Sequence, residues 1–168
     1  MTYSSDEFLH AVKHALIDAK CWYVSDGAVD GTFQLALGER VQRRVRLQAE
    51  HHTSEYRNYE GTANLLVWCS WRLDSQDDVI TSSDDEYSSI VEGLNRLIGS
   101  CINRVSILSP AWDLELQFNN EFTLNVFCDH VPGDPSYDGN WYLTLRESLF
   151  FAGPGVKFGV ETRNDPTG

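Results

Sequence analysis

The run from Ala111 to Cys128, AWDLELQFNNEFTLNVFC, restricts the fold of this chain more than any other stretch. Trp112, Leu114, Leu116 and Phe118 alternate with Asp113, Glu115 and Gln117; after a short polar break, Phe122, Leu124, Val126 and Cys128 alternate with Thr123 and Asn125. A period of two marks strands with one face buried and the other wet. Directly opposed residues of an antiparallel pair share a face, so both apolar sets reach one core only if Phe118 opposes Phe122 and Leu116 opposes Leu124. That register leaves Asn119, Asn120 and Glu121 as the loop. A two-residue Asn-Asn turn would oppose Leu116 to Thr123 and point the two sets to opposite faces. Asp113 and Glu115 fall on the wet face, where paired carboxylates read as solvated charge.

The remaining sequence supplies partners for this hairpin. Ser4 and Glu7 form a capping box, with Tyr3 and Phe8 at staple positions, and Phe8, Leu9, Val12, Ala15 and Leu16 repeat at helical spacing; a helix is expected from about Ser5 to Lys20. CWYVS, TFQLAL, RVQRRVRLQ and TANLLVWCSWRL follow as strands divided by Gly and Asp. In the last of these Leu65, Val67, Cys69, Trp71 and Leu73 share one face. The other face carries Leu66 and Trp68 as well, which marks a central strand. Residues 74–86 read as a polar, acidic connection. A second helix is expected from about Asp84 to Ile98, opened by a Ser83–Glu86 capping box, closed by Gly99, and striped with Tyr87, Ile90, Val91, Leu94, Leu97 and Ile98; the hairpin's apolar side should face it. Strands at 102–108, 140–146, 148–151 and 156–161 complete the chain, with one long irregular loop at 129–139. The expected architecture is α+β, a single domain with two amphipathic helices packed on antiparallel β-sheet meanders.

Composition fits one core: 168 residues, 42% hydrophobic, with five Trp, seven Tyr and eight Phe, exclude a disordered chain. No apolar run is long enough to span a bilayer, and the start, MTYSSDEF, is polar and acidic where a signal peptide is basic and then apolar, so a cytoplasmic protein is expected. Cys21, Cys69, Cys101 and Cys128 lack CxxC spacing and read as free thiols. The formal net charge of −12 disfavours nucleic acid and anionic membrane and favours a basic protein partner.

Reactive constellations are scarce. His10 and His14 stand one helical turn apart but opposite the apolar stripe and without the HExxH pattern; His51 and His52 read as loop. Asp134, Ser136 and Asp138 alternate like part of a calcium loop, but Pro135 interrupts them and Leu145 stands where the bidentate Glu belongs. No Ser or Cys sits in a strand-to-helix elbow, and no Gly-rich loop opens a helix. No catalytic residue, metal or cofactor is expected. Two charge runs carry more content. Asp74, Asp77, Asp78, Asp84, Asp85 and Glu86 concentrate negative charge before the second helix, and with Asp134, Tyr137 and Asp138 of the long loop they form the expected partner-binding set. Arg40, Arg43, Arg44 and Arg46 fall in one predicted strand and are expected to pair internally with acids.

Trp112-Asp113-Leu114-Glu115-Leu116-Gln117-Phe118, Leu124-Asn125-Val126-Phe127 and Asn140-Trp141-Tyr142-Leu143 resemble the W-x-L-x-L-x-F, L-x-V-F and N-W-x-L strands of small bacterial domains, some of them immunity proteins of polymorphic or contact-dependent toxin systems. The likeness covers roughly residues 105–161. It implies a non-enzymatic protein that binds and blocks a basic toxin domain. The rival expectation is a small accessory or ligand-binding domain with an aromatic-lined pocket walled by Trp68, Trp71 or Trp141.

Overall fold

A computed structural model describes residues 2–26, 31–133 and 139–164; Asp134, Tyr137 and Asp138 lie outside the described residues. Among those described are three helices and eleven strands, all paired antiparallel in two sheets, a mixed α+β fold. The strands are β1 (Cys21–Asp26), β2 (Phe33–Gln42), β3 (Tyr59–Val67), β4 (Ser70–Asp74), β5 (Val79–Ser82), β6 (Ile102–Leu108), β7 (Asp113–Phe118), β8 (Thr123–Phe127), β9 (Trp141–Thr144), β10 (Ser148–Ala152) and β11 (Phe158–Thr162). The first sheet runs β1-β2-β3-β9-β10-β11 and the second β5-β4-β8-β7-β6. Each sheet therefore joins a run of strands from the first half of the chain to a run from the second, across the β3–β9 and β4–β8 seams.

One core lies between the sheets. Phe33, Leu35, Leu37, Leu65, Leu143 and Phe150 of the first sheet meet Trp71, Leu73, Leu114, Leu116, Leu124 and Val126 of the second, and each is at most 3% exposed. Two of the three helices close the two open sides rather than covering a sheet face. Helix α1 (Ser5–Leu16) lies against β6, and its Phe8 ring meets Phe150 of β10, Phe158 of β11, Trp141 and Trp112. Helix α3 (Tyr87–Asn95) lies against β5 and β1, the edge strands of the two sheets on the other side. Edges are thereby covered, which blunts edge-to-edge association. The hairpin's Trp112 consequently faces the first helix, and at the hairpin's tip Asn120 Nδ2 donates to Arg96 O (3.2 Å), just past α3, and Arg96 lies over the Phe122 ring.

The hairpin register is the one its alternation demands. Leu116 pairs with Leu124 and Leu114 with Val126, Phe118 N donates to Phe122 O (2.8 Å), and Glu121 takes a positive φ of 72° at the end of the three-residue loop. The α1 capping box is also present. The helix stops at Leu16, short of Lys20, because Asp18 turns left-handed (φ 64°) and its N–H is drawn to Ile102 O at 2.7 Å.

Four elements differ from expectation. TANLLVWCSWRL is two strands in different sheets, bent at Trp68–Cys69. Its alternation survives the bend because both sheets turn the same face to one core, so Leu65, Val67, Cys69, Trp71 and Leu73 are all buried. The bend hangs on Asn140, which is fully buried. Its carbonyl accepts from Trp68 N (2.8 Å) and Cys69 N (3.2 Å), its N–H donates to Ala152 O (2.7 Å), and its side chain donates to Gly153 O (2.9 Å) and accepts from His130 N (3.1 Å). RVQRRVRLQ is strand only as far as Gln42, in register with β3 after a bulge at Gly38 (φ 84°), and the chain then leaves the sheet. It returns through a short helix that period reading missed, α2 (Ser54–Asn58), capped by Thr53. The acidic connection contains β5, and the second helix begins only at Tyr87. The expected Ser83–Glu86 box does not form: Ser83 Oγ accepts instead from Trp71 N (3.1 Å), and Glu86 caps without a side-chain bond. Tyr87 and Ile98, placed in the apolar stripe, are exposed, Tyr87 donating its hydroxyl to Asp26 (2.8 Å).

Candidate functional site

The acids of residues 74–86 do not form one patch. The four residues of β5 hold them in two groups, separated by roughly 13 Å of strand. At one end Asp84 and Asp85 precede α3 with Glu86 as its cap; Asp85 accepts from Thr81 Oγ1 (3.0 Å) and from Glu86 N (2.8 Å). At the other end Asp77 and Asp78 make the exposed β4–β5 turn, pinned by Ser75 Oγ, which accepts from both of their N–H groups (3.3 and 3.1 Å). Asp74 closes β4, half-buried and gripped by both nitrogens of the Arg72 fork (2.8 and 3.1 Å) and by Asn125 Nδ2 (2.9 Å). The carboxylate in turn holds the Arg72 guanidinium charged, its pKa raised by that bond.

Asp74 is also where the acidic turn meets a groove. On the outward face of the second sheet, Asp74, Thr123 and Gln117 form one cross-strand row and Arg72, Asn125 and Glu115 the next. With Asn103, Asn119, Glu121, Ser75 and Gln76 they enclose an open groove of about 660 Å³. Its floor carries three carboxylates, amides and hydroxyls; the aromatic rings at one end, Phe118 and Phe122, are turned into the core, and among the described residues no Lys or Arg lines it, Arg72 standing beside it in its bond to Asp74. Glu115 accepts from Gln117 Nε2 (3.3 Å) and keeps its remaining acceptor capacity toward solvent. Asp113, beyond the groove, is consumed by Cys128 N (2.7 Å). Such a surface suits multipoint hydrogen bonding to cationic donors.

The groove escapes a reading of the sequence because its lining comes from four strands, each contributing wet-face residues that look ordinary alone. The only linear signal is the choice of amides and carboxylates, Glu115, Gln117 and Asn125, over lysines at those positions.

The other sequence candidates are dispersed. His10 and His14 stack along the exposed side of α1. His52 accepts or donates at Tyr23 Oη (3.2 Å) in a turn, with burial, His51, Arg43 and Arg57 lowering its pKa and Asp26 opposing them. Among the described residues no group of three or more His, Cys, Asp or Glu side chains is placed to hold a metal ion, and no helix is long and apolar enough to cross a membrane. The four cysteines are free. Cys21 is fully buried with its thiol pushed up to about 12, and the Cys69 thiol is raised by its contact with Cys128 and by burial. Trp71 and Trp141 are core residues whose indoles donate to Gly31 O (2.5 Å) and Trp112 O (2.9 Å). The space between α3 and the β1–β2 edge, beside Phe33 and Tyr87, measures about 70 Å³, far below the roughly 300 Å³ at which pockets for drug-sized ligands begin.

The arginines pair internally, Arg40 from β2 and the others from the loop that follows it: Arg40 with Glu55, Arg43 with Glu60, Arg44 with Glu147, while Arg46 bonds Asn58. Compared with known proteins, the chain matches no family model, no curated protein and no solved structure.

Proposed function

We propose that the chain is a non-enzymatic binding protein whose partner is a basic protein, and that it works as immunity proteins do, by covering the working surface of a toxin domain. The observation that carries this reading is the groove on the second sheet, with Glu115, Glu121 and the Arg72-paired Asp74 among amides and hydroxyls. It runs into the Asp77–Asp78 turn, so one end of the molecule presents acids both in relief and in recess. A net charge of −12 steers a basic surface toward it, and hydrogen bonds from Arg and Lys then fix the register. The resemblance of residues 105–161 to immunity-type domains supports the same class.

The test starts from the immobilised chain: the protein it retains is purified and its binding followed by calorimetry at low and high salt. A basic protein bound tightly at low salt, with affinity falling as salt rises, is the expected result. Retention of no protein, or binding of a metabolite alone, overturns the reading. Reversing Glu115 and Glu121 together should slow association, whereas reversing Asp84 and Asp85, beyond β5, should change it less.

A further inference from the structure

The seam at which β4 meets β8 brings two cysteines together. Ser70 pairs with Phe127 and Trp71 with Val126, so one step further along the same ladder Cys69 stands opposite Cys128. Opposed residues share a face, and here that face is the core: Cys69 is 4% exposed, and the half-buried Cys128 packs against the same cluster. The thiols touch. Cys69 gives its S–H to Cys128 Sγ, which donates in turn to Trp112 O at 3.4 Å. Trp112 O also accepts from Trp141 Nε1 (2.9 Å), so loss of the Cys128 proton would leave that carbonyl satisfied.

The parity of the ladder fixes how close the two backbones come. Trp71 turns its N–H to Ser83 Oγ (3.1 Å) and its carbonyl to Ser83 N (3.0 Å), away from β8, so Trp71 and Val126 are a non-hydrogen-bonded pair of the seam. Pair type alternates along an antiparallel ladder, and Cys69–Cys128, two positions on, is of the same type. The backbone bonds agree. Cys69 N donates to Asn140 O (3.2 Å) and Cys128 N to Asp113 Oδ1 (2.7 Å), so neither N–H is spent on the facing strand. Pairs of this type hold their Cα atoms about 4.5 Å apart, inside the roughly 4.4–6.8 Å that a disulfide spans. Closing the bond therefore asks for no movement of either strand.

We infer that Cys69 and Cys128 are a thiol–disulfide pair that closes across the β4–β8 seam when the chain meets a small-molecule disulfide. Cys128, the more exposed of the two, is the point of entry, and Cys69 is reached only through it. The Cys128 thiolate attacks one sulfur of an R–S–S–R oxidant, releasing R–S⁻ and forming a Cys128–S–S–R link. Cys69 then gives up its proton and attacks Cys128 Sγ, expelling the second R–S⁻. One S–S bond forms for the one broken, two electrons pass to the oxidant, and the two thiol protons leave with two R–SH. The product staples a strand of the first half of the chain to one of the second, beside the Trp68–Cys69 bend. It requires neither the groove nor a protein partner.

In the experiment the folded full chain is incubated with oxidised glutathione, its remaining thiols are alkylated in denaturant, and the product is weighed and mapped by peptide mass spectrometry. A chain lighter by two hydrogen atoms is expected, with a single crosslinked peptide joining Cys69 to Cys128 and Cys21 alkylated. The oxidised chain should also unfold at a urea concentration higher by about 1 M, because the link restricts the unfolded chain, and dithiothreitol should reverse the shift. Cys128→Ser should abolish both the link and the shift. If that variant does not fold, the wild-type map still decides. A stable glutathione adduct on Cys128 beside a free Cys69, a link between any other two cysteines, no loss of mass, or a link that lowers the urea midpoint would each overturn the pair.

Discussion

The two sheets present outward faces that the protein treats in opposite ways. The first sheet is roofed by the chain's own residues 43–58. Arg43 N donates to Asn58 O and Leu47 N to Arg57 O, both at 2.9 Å, and the excursion sets Tyr56, 3% exposed, in a stack on Tyr23 with ring centroids 4.1 Å apart. Beneath it Trp22, Ala36 and Tyr56 make a small second core. Among the described residues the second sheet has no such roof, and its outward rows are mostly Asp, Glu, Asn, Gln and Thr, with Arg72 lying over the Phe127 ring beside them. A face that buries apolar and charged groups needs a fixed cover, and supplying it consumes chain. A face built of amides and acids is stable in water as it stands and remains open to contact. The contrast separates positions kept for stability from positions free to serve recognition.

Substitutions should divide along that line. Glu60→Ala leaves Arg43 and Arg163 facing each other with their common carboxylate gone, and should cost about 3–5 kcal/mol, read as the loss of unfolding free energy in urea. Tyr56→Ala removes the ring that Tyr23, His52 and Arg43 all pack against, and should cost about 3 kcal/mol by the same measurement. A cost under about 1 kcal/mol for either would mean that the roof is a surface ornament and would erase the contrast.

A smaller effect comes from pH. His52 has its folded pKa lowered by burial first and then by His51, with Arg43 and Arg57 adding to the repulsion against Asp26. The unfolded chain therefore takes up the proton more readily, so the stabilising contribution is complete above the unfolded pKa of about 6.5 and is lost as pH falls from there through the folded value. His52→Gln should flatten the difference in stability between neutral and mildly acidic solution; an unchanged slope would place the sensitivity elsewhere. Smallest of all, Glu115→Lys with Glu121→Lys should shift stability by no more than about 0.5 kcal/mol, both being wet-face positions, while slowing association with a basic partner in proportion to the charge reversed. A large loss of stability from this pair would show the groove to be structural.

What could be read from the sequence follows from where the information lies. The Leu116–Leu124 register and the Ser4–Glu7 box are local, each set by residues within one turn or one hairpin, and both are present. The β3–β4 bend was invisible because alternation carries no record of which sheet a strand joins; the evidence for it sits in Asn140, far along the chain. That asparagine belongs to the N-W-x-L stretch, so part of what the resemblance rests on is a corner bracket. The Ser83–Glu86 pattern was a true match to a capping box that lost its hydroxyl to a competing acceptor role beside Trp71. The groove is an assembly of four strands, and no linear pattern encodes concavity.

The β3–β9 and β4–β8 seams have a consequence for synthesis. A nascent chain that has emerged as far as α3 owns β1 to β3 of one sheet and β4 and β5 of the other, and in both the strand at the seam still lacks its partner. Neither sheet can be finished from the first half alone, so two unpaired strand edges must wait on the ribosome until the last third arrives to stitch them shut, and bare edges of that kind are templates for pairing with a neighbouring chain.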